Sequence, residues 1–333
     1  MKNYKHILFL FSSLALISCE KNEIEGPSLN DLYADLSINE PLKVVGDNVD
    51  FANNDRLHFT ASFSKQVDWK LKITGQSSGS VKIITGKSNS INQINSEWEG
   101  SSTFLPFFVA EDCSVQLTFE SHIDTINSQL TIESPKQYNN DNTVLITDFE
   151  NGFNPNFTNF FQAGCTKALT TGGSGEGAKH LQQFGTCDWD WLIGYVDYFA
   201  EFWSNENTLV NDPSQVYFNI MINGDSTISD VAGVPNSLFK LEFYEDENGD
   251  GYYDANSEDR YDYEFDVDWK GWRMISVCYN DSEKLILTGN GDGVRSPSKV
   301  SNVRTLLLAN PQSGFAKADV DFLIWSIGSP ILN

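Results

Sequence analysis

Residues 240–281 read KLEFYEDENGDGYYDANSEDRYDYEFDVDWKGWRMISVCYND. Just upstream and into this stretch, Phe239, Leu241 and Phe243 alternate with Leu238, Lys240, Glu242 and Tyr244. A period of two is a strand pattern, not a helical one. The acidic segment that follows sets Asp246, Asn248 and Asp250 at every second position, then Gly251, then Asp254. That D-x-N-x-D-G-x-x-D spacing is the spacing of a calcium loop, because short carboxylates two apart on a turning backbone can converge on a hard cation. Gly251 permits the sharp turn, and the main-chain carbonyl at Tyr252 is a further oxygen. The twelfth position counted from Asp246, where an EF-hand has a bidentate Glu, is Ser257. The stretch therefore predicts a β-hairpin connection stapled by structural calcium; a solvated acidic turn without metal is the competing reading.

The same alternation extends in both directions. Downstream and upstream, Val144–Glu150, Gln215–Ile222, Ser237–Tyr244, Tyr261–Val267, Trp272–Tyr279, Val303–Leu308 and Val320–Ile327 read as strands of one all-β unit covering 144–333. Before it, Arg56–Ser64, Val67–Thr74, Val81–Thr85, Leu105–Val109, Cys113–Phe119 and Gln129–Ile132 are short strands at sandwich spacing. Residues 42–133 thus predict an immunoglobulin-like β-sandwich, with Trp69 in its core. Between the two, residues 134–143 (SPKQYNNDNT) are polar and lack a period, which marks a linker.

Charge limits the partners. The 333 residues carry a formal net charge of −24. Such a field repels phosphates, so nucleic acid and an anionic bilayer surface are excluded as partners, while neutral ligands and cations fit. With four histidines and no C-x-x-C pair, zinc and thiol chemistry find no ligand set. Cys113, Cys165, Cys187 and Cys278 allow three pairings if oxidised; a Cys165–Cys187 bridge would close the Gly-rich segment between them, and four unpaired thiols are the alternative.

The N-terminus supplies an address. Lys2 and Lys5 precede an apolar run from Ile7 to Ile17, too short for the roughly 20 residues that span a bilayer. Leu16-Ile17-Ser18-Cys19 at its end resembles the lipobox of bacterial lipoproteins. The resemblance implies that residues 1–18 are a signal peptide, that Cys19 is lipidated, and that residues 19–41 are a tether. Loss of residues 1–18 removes Lys2 and Lys5 and no acid, taking the net charge from −24 to −26. The acids at 20, 23 and 25 resemble the surface-export tag of Bacteroidota lipoproteins, which implies an outer-membrane protein on the cell surface that touches the membrane through its lipid alone.

The larger unit resembles carbohydrate-binding jelly-roll modules in its opening strand ending D-F-E (148–150), its interior WKGWRMISV (269–277) and its closing DVDFLIW (319–325). The first unit's SGSVKIITGKS (78–88) followed by Trp98-Glu99-Gly100 is similar to sandwich modules of Bacteroidota surface lipoproteins from polysaccharide-utilisation (Sus-like) systems. The resemblance implies a C-terminal jelly-roll β-sandwich, a glycan partner and an association with a TonB-dependent transporter. It also implies a second calcium position, since acids on adjacent first and last strands hold an ion in such modules: Asp148, Glu150 and Asp321 here, with Asp319 beside them.

Sugar rings ask for flat apolar faces with amides and carboxylates beside them. The densest supply is CDWDWLIGYVDYFAEFW (187–203). On a strand Trp189 and Trp191 project to one face; Trp203 and Tyr253 are candidates from loops. Alternating Trp residues serve equally well as sandwich core, and both readings stand. No paired carboxylates are set for glycoside hydrolysis, and Gly173-Ser174-Gly175 lacks the strand–helix context of a nucleophile elbow. The expected function is non-catalytic glycan binding at the cell surface. A structural or adhesin-like subunit and a glycoside hydrolase are the alternatives.

Overall fold

The computed structural model describes residues 35–120, 122–138, 142–186, 191–202, 209–225, 236–310 and 314–332. The lipobox with Cys19, most of the tether, Cys187, Trp189 and Trp203 lie outside the described residues. The described residues are nearly all β, as the alternation predicts.

The first unit comprises β1 (Ile38–Val45), β2 (Asn48–Asp50), β3 (His58–Gly75), β4 (Val81–Ile91), β5 (Glu111–Phe119) and β6 (His122–Ser134) in the order β1-β3-β5-β6-β2, with β4 also on β3. The sequence pattern splits β3 into two strands; the structure joins them. An irregularity between Ser62 and Val67 bends the strand, so that its first half pairs with β1 and its second with β5. Such a bulge lets one strand serve two faces of a folded sheet. Inside lie Trp69, Leu71 and Ile73 from β3 and Val115 and Leu117 from β5, with Trp98 edge-on to Phe51 and Phe108 at 5.1 Å each.

The expectation of a strand at Leu105–Val109 is corrected. The run is irregular, because its apolar side chains serve two cores: Phe108 fills the first unit and Phe107 turns out of it.

The second unit has two six-stranded sheets. One contains β7 (Thr143–Thr147), β9 (Thr166–Thr171), β10 (Lys179–Thr186), β12 (Val216–Asp225), β15 (Lys270–Cys278) and β18 (Phe315–Ile327), in the order β15-β12-β18-β10-β9 with β7 on β18. The other runs β16 (Ile286–Leu287), β14 (Arg260–Asp266), β13 (Ser237–Glu245), β17 (Val300–Ala309), β11 (Leu192–Phe199), β8 (Thr158–Phe161). Phe218, Phe243, Tyr279 and Trp325 meet between the sheets as one aromatic centre.

β18 changes phase along its length. Ala316, Ala318 and Val320 point into the sandwich, and so do Leu323 and Trp325, one register out of step. The step occurs at Phe322, whose φ is +42°, in the left-handed region that a β-carbon disfavours. Its partner strand β12 shifts register at the same level, between Asn219 and Met221. The result frees Phe322 and Ile324 to face outward. There they pack with Met221, Phe107 and the partly buried Leu105, Tyr138, Trp272 and Met274 as a third apolar cluster, between the two units.

Candidate functional site

The outward face of the β16–β8 sheet is built by the alternation of its strands. With Phe239, Leu241 and Phe243 inside, β13 must turn Lys240, Glu242 and Tyr244 out. On β17 the same rule turns Asn302, Arg304 and Leu306 outward, and on β11 Tyr195, Asp197 and Phe199, with Asn302 and Asp197 buried beneath their neighbours. Strand register then sets these side chains in rows across the sheet. One row runs Asp262, Glu242, Arg304, Asp197, Thr158. Its neighbours run Glu264, Lys240, Leu306, Tyr195, Phe160 on one side and Arg260, Tyr244, Asn302, Phe199 on the other.

Arg304 is the centre. It grips Asp197 through Nε at 2.7 Å and an Nη at 3.1 Å, and Asn302 Nδ2 donates to the same carboxylate at 2.7 Å. The guanidinium lies over the Tyr195 ring at 4.1 Å and the Tyr244 ring at 5.4 Å. Planar guanidinium is suited to simultaneous stacking and bidentate pairing, which an ammonium group is not. The Tyr244 hydroxyl donates to Glu242, and Lys240 bridges Glu242 and Asp262 at 2.8 and 2.7 Å. Burial pushes the Glu242 carboxyl up, but hydrogen bonds from Lys240 and Tyr244, with the charges of Lys240 and Arg260, outweigh it and hold the group below the usual carboxylate range. Phe160 and Tyr195 stand side by side, ring centroids 5.8 Å apart and 31° from parallel.

Two of the four aromatics expected to bind a ligand are described, and they flank this face at opposite ends. Trp191 is not on a strand: β11 begins one residue later, and Trp191 sits in a turn with φ +55° and its side chain 58% exposed. Its carbonyl accepts the Ala309 N–H at 2.7 Å, which ties it to the end of β17. Tyr253 packs edge-on against Tyr244 with centroids 4.9 Å apart. Tyr195, Glu242, Tyr244 and Arg304 escaped the sequence reading. Their signal was a polar or aromatic residue at several outward positions of strands whose inward positions are mostly apolar, with Arg304 the lone cation in VSNVRTLLLA (300–309).

The acidic loop folds as a hairpin connection between β13 and β14. Asp246 accepts main-chain N–H groups from Gly249 at 2.7 Å, Asp250 at 3.1 Å and Gly251 at 2.7 Å. Asn248 accepts from Asp250, Asp250 from Tyr252, and Asp254 from Asn256 and Ser257. Glu258, away from the D-x-N-x-D positions, closes the loop by accepting from Glu247, Asn248 and Asp254. Tyr252 is 80% exposed. These Asx turns shape the loop, and at least one oxygen of each acid is committed to them.

Asp148 and Glu150, just beyond the end of β7 rather than on it, and Asp321 of β18 lie around the Gly-rich loop. Asp321 Oδ2 accepts the N–H groups of Gly175 and Glu176 at 3.1 and 3.0 Å. Glu150 Oε1 accepts those of Ala178 and Lys179, and Asp148 accepts that of Glu150. Burial raises the Asp321 carboxyl to about 8, and burial with the charges of Asp148 and Glu150 raises Glu176 to about 7. Asp148, Glu150 and Asp321 are thus brought to one loop by the β7–β18 pairing, with Glu176 as an unexpected fourth.

No family model matches the chain, and no curated protein matches it. Among solved structures, the N-terminal tandem CBM22 domains of Paenibacillus barcinonensis Xyn10C align over 89% of this chain and 94% of theirs at 9% identity and a TM-score of 0.33. An exo-beta-agarase aligns over 56% of this chain and 25% of its own at 11% identity, TM-score 0.37. The CBM51-2 and INT domains of Clostridium perfringens ZmpB align over 69% and 39% at 12% identity, TM-score 0.25. Likeness this remote bears on neither ligand nor chemistry.

Proposed function

We propose that the protein binds a neutral or weakly charged glycan, without cleaving it, on the outward face centred on Arg304. The observation that carries this reading is the side-by-side placement of aromatic rings and hydrogen-bonding charges on one sheet face. Tyr195 and Phe160 offer surfaces to the CH faces of sugar rings and Arg304 and Lys240 offer donors to hydroxyls, while the buried Asp197, Asn302 and Tyr244 hold Arg304 in place. Trp191 and Tyr253 bound the face at its two ends. From Leu308 to Asn302 the strand rise gives it a length of roughly 20 Å, room for several rings in line. Per-ring stacking is modest, so single-chain affinity falls on the order of micromolar to millimolar, and display of many copies on a surface raises avidity.

The lipobox at Cys19 and the acids after it support a lipid-anchored position on the outer face of the outer membrane, as in Sus-like lipoproteins that pass glycans to a TonB-dependent transporter. Structural calcium at Asp148, Glu150 and Asp321 would brace the second unit. The test is retention of the chain from residue 20 on a polysaccharide panel, with reducing ends assayed on every hit. Retention without cleavage, lost in Arg304→Ala, agrees with the proposal. Release of reducing ends makes it a hydrolase. Failure on every glycan leaves the adhesin or scaffold reading.

A further inference from the structure

A second group of carboxylates lies off this face. Glu245 ends β13, Asp259 immediately precedes β14, and Glu247 stands in the loop between them; one oxygen from each lies within 4.8 Å of the others. Glu245 and Asp259 are wholly buried, at 0% exposure. Each has one oxygen anchored. Glu245 Oε1 accepts the Tyr279 hydroxyl and the Ser296 N–H, both at 2.7 Å. Asp259 Oδ2 accepts the Gly293 N–H at 2.7 Å and the Tyr261 hydroxyl at 3.2 Å.

The other oxygens, Glu245 Oε2, Asp259 Oδ1 and Glu247 Oε1, are buried and meet no donor among the described residues. The nearby basic side chains are engaged elsewhere. Lys299 reaches the main-chain oxygen of Glu247, and Arg295 donates to the carbonyls of Tyr279 and Leu285. Gly291 closes over the cluster: a β-carbon there would come within 2.3 Å of Glu247 Oε1 and 2.7 Å of Asp259 Oδ1.

Buried anions without donors are costly, whereas outer hydrogen bonds that fix one carboxylate oxygen and present the other are the usual support of a metal ligand. We propose that Glu245, Glu247 and Asp259 hold a hard divalent cation of the calcium class. An oxygen-only ligand set with no His or Cys selects such an ion, and the spacing of the three oxygens fits metal–oxygen bonds of about 2.3–2.6 Å. The inference moves the ion from the D-x-N-x-D positions, whose acids shape the loop through its amides, to the buried Glu245 and Asp259 flanking them and Glu247 among them. It does not depend on glycan binding.

The experiment uses the chelator-treated chain from residue 20, titrated with calcium, magnesium or terbium. Tyr261 and Tyr279, whose hydroxyls touch the ligand carboxylates, make terbium emission under tyrosine excitation a local readout. Expected are a sensitised terbium signal displaced by calcium, and a melting temperature about 5–10 °C higher at a hundredfold excess of calcium. Asp259→Asn, nearly isosteric, should remove the signal, while Asp250→Asn and Asp321→Asn keep it. A signal lost in Asp250→Asn but kept in Asp259→Asn places the ion in the loop and overturns the proposal. A wild-type chain that gives no signal and melts alike with and without metal ions overturns it too, and assigns the cluster a shared proton instead. Should Asp259→Asn fail to fold, the calcium-displaceable signal of wild type, compared with Asp250→Asn and Asp321→Asn, still decides.

Discussion

The ring of Phe107, from an irregular loop of the first unit, stands edge-on to the ring of Phe322 on the last strand of the second, centroids 5.1 Å apart. Both are 6% exposed, and Tyr138 packs on each from the segment joining the units. With the Met274 N–H donating to the Phe104 carbonyl at 2.9 Å, the contact joins the two units. Phe107→Ala should cost roughly 1.5–3 kcal/mol of coupling while leaving both separate cores filled. Calorimetry should then resolve two transitions where wild type gives one; an unchanged single transition would show the units to be coupled by other means.

Glu111 gives the first unit a defined acid response. Its carboxylate accepts from the hydroxyl and N–H of Ser77 and of Ser78, holding the turn between β3 and β4. Burial pushes the group up, yet the serine hydrogen bonds prevail and keep it below the usual range. A depressed folded value means stabilisation present above the unfolded pKa of roughly 4.3 and lost as pH falls through the folded value. Stability measured from pH 6 to pH 3 should decline less steeply in Glu111→Gln, which starts from a lower plateau. Equal slopes in the two proteins would contradict the assignment.

Arg304→Lys should lose at least tenfold in glycan retention although it keeps the charge, since an ammonium group replaces neither the two-bond grip on Asp197 nor the stacking on Tyr195. Full retention in Arg304→Lys would show that only charge matters at this position.

Trp191→Ala should leave stability within about 0.5 kcal/mol of wild type, as the side chain is exposed. A weaker but measurable loss of glycan retention would mark Trp191 as the rim of the face. A collapse of the fold would reveal packing that its exposure does not suggest.

Cys19→Ser should move the protein from the membrane fraction to the soluble one. External protease should digest the wild-type chain on intact cells; protection until lysis would place it on the inner side of the outer membrane.

The strands were legible because alternation is a local property. Phe239, Leu241 and Phe243 declare β13 without any knowledge of its neighbours. The Arg304 face was not, because it exists only across strands: Asp197, Glu242 and Arg304 are far apart in sequence and meet through register alone. A local pattern also misled at Leu105–Val109, where an apolar run signals strand but its rings part toward two cores. The acidic spacing drew attention to the loop but not to Glu245 and Asp259, whose burial and half-bonded carboxylates arise only in three dimensions.

The phase step at Phe322 has a mechanical consequence. It hands Phe322 and Ile324 to the first unit from the sheet opposite the Arg304 face. Tension applied between an anchored N-terminus and a load on that face would therefore pass through both sheets and the Phe107 contact, with the segment around residues 134–143 shunted by it. The joint would yield only when the rings separate and the Met274–Phe104 main-chain bond breaks, so load on one unit would be felt by the other.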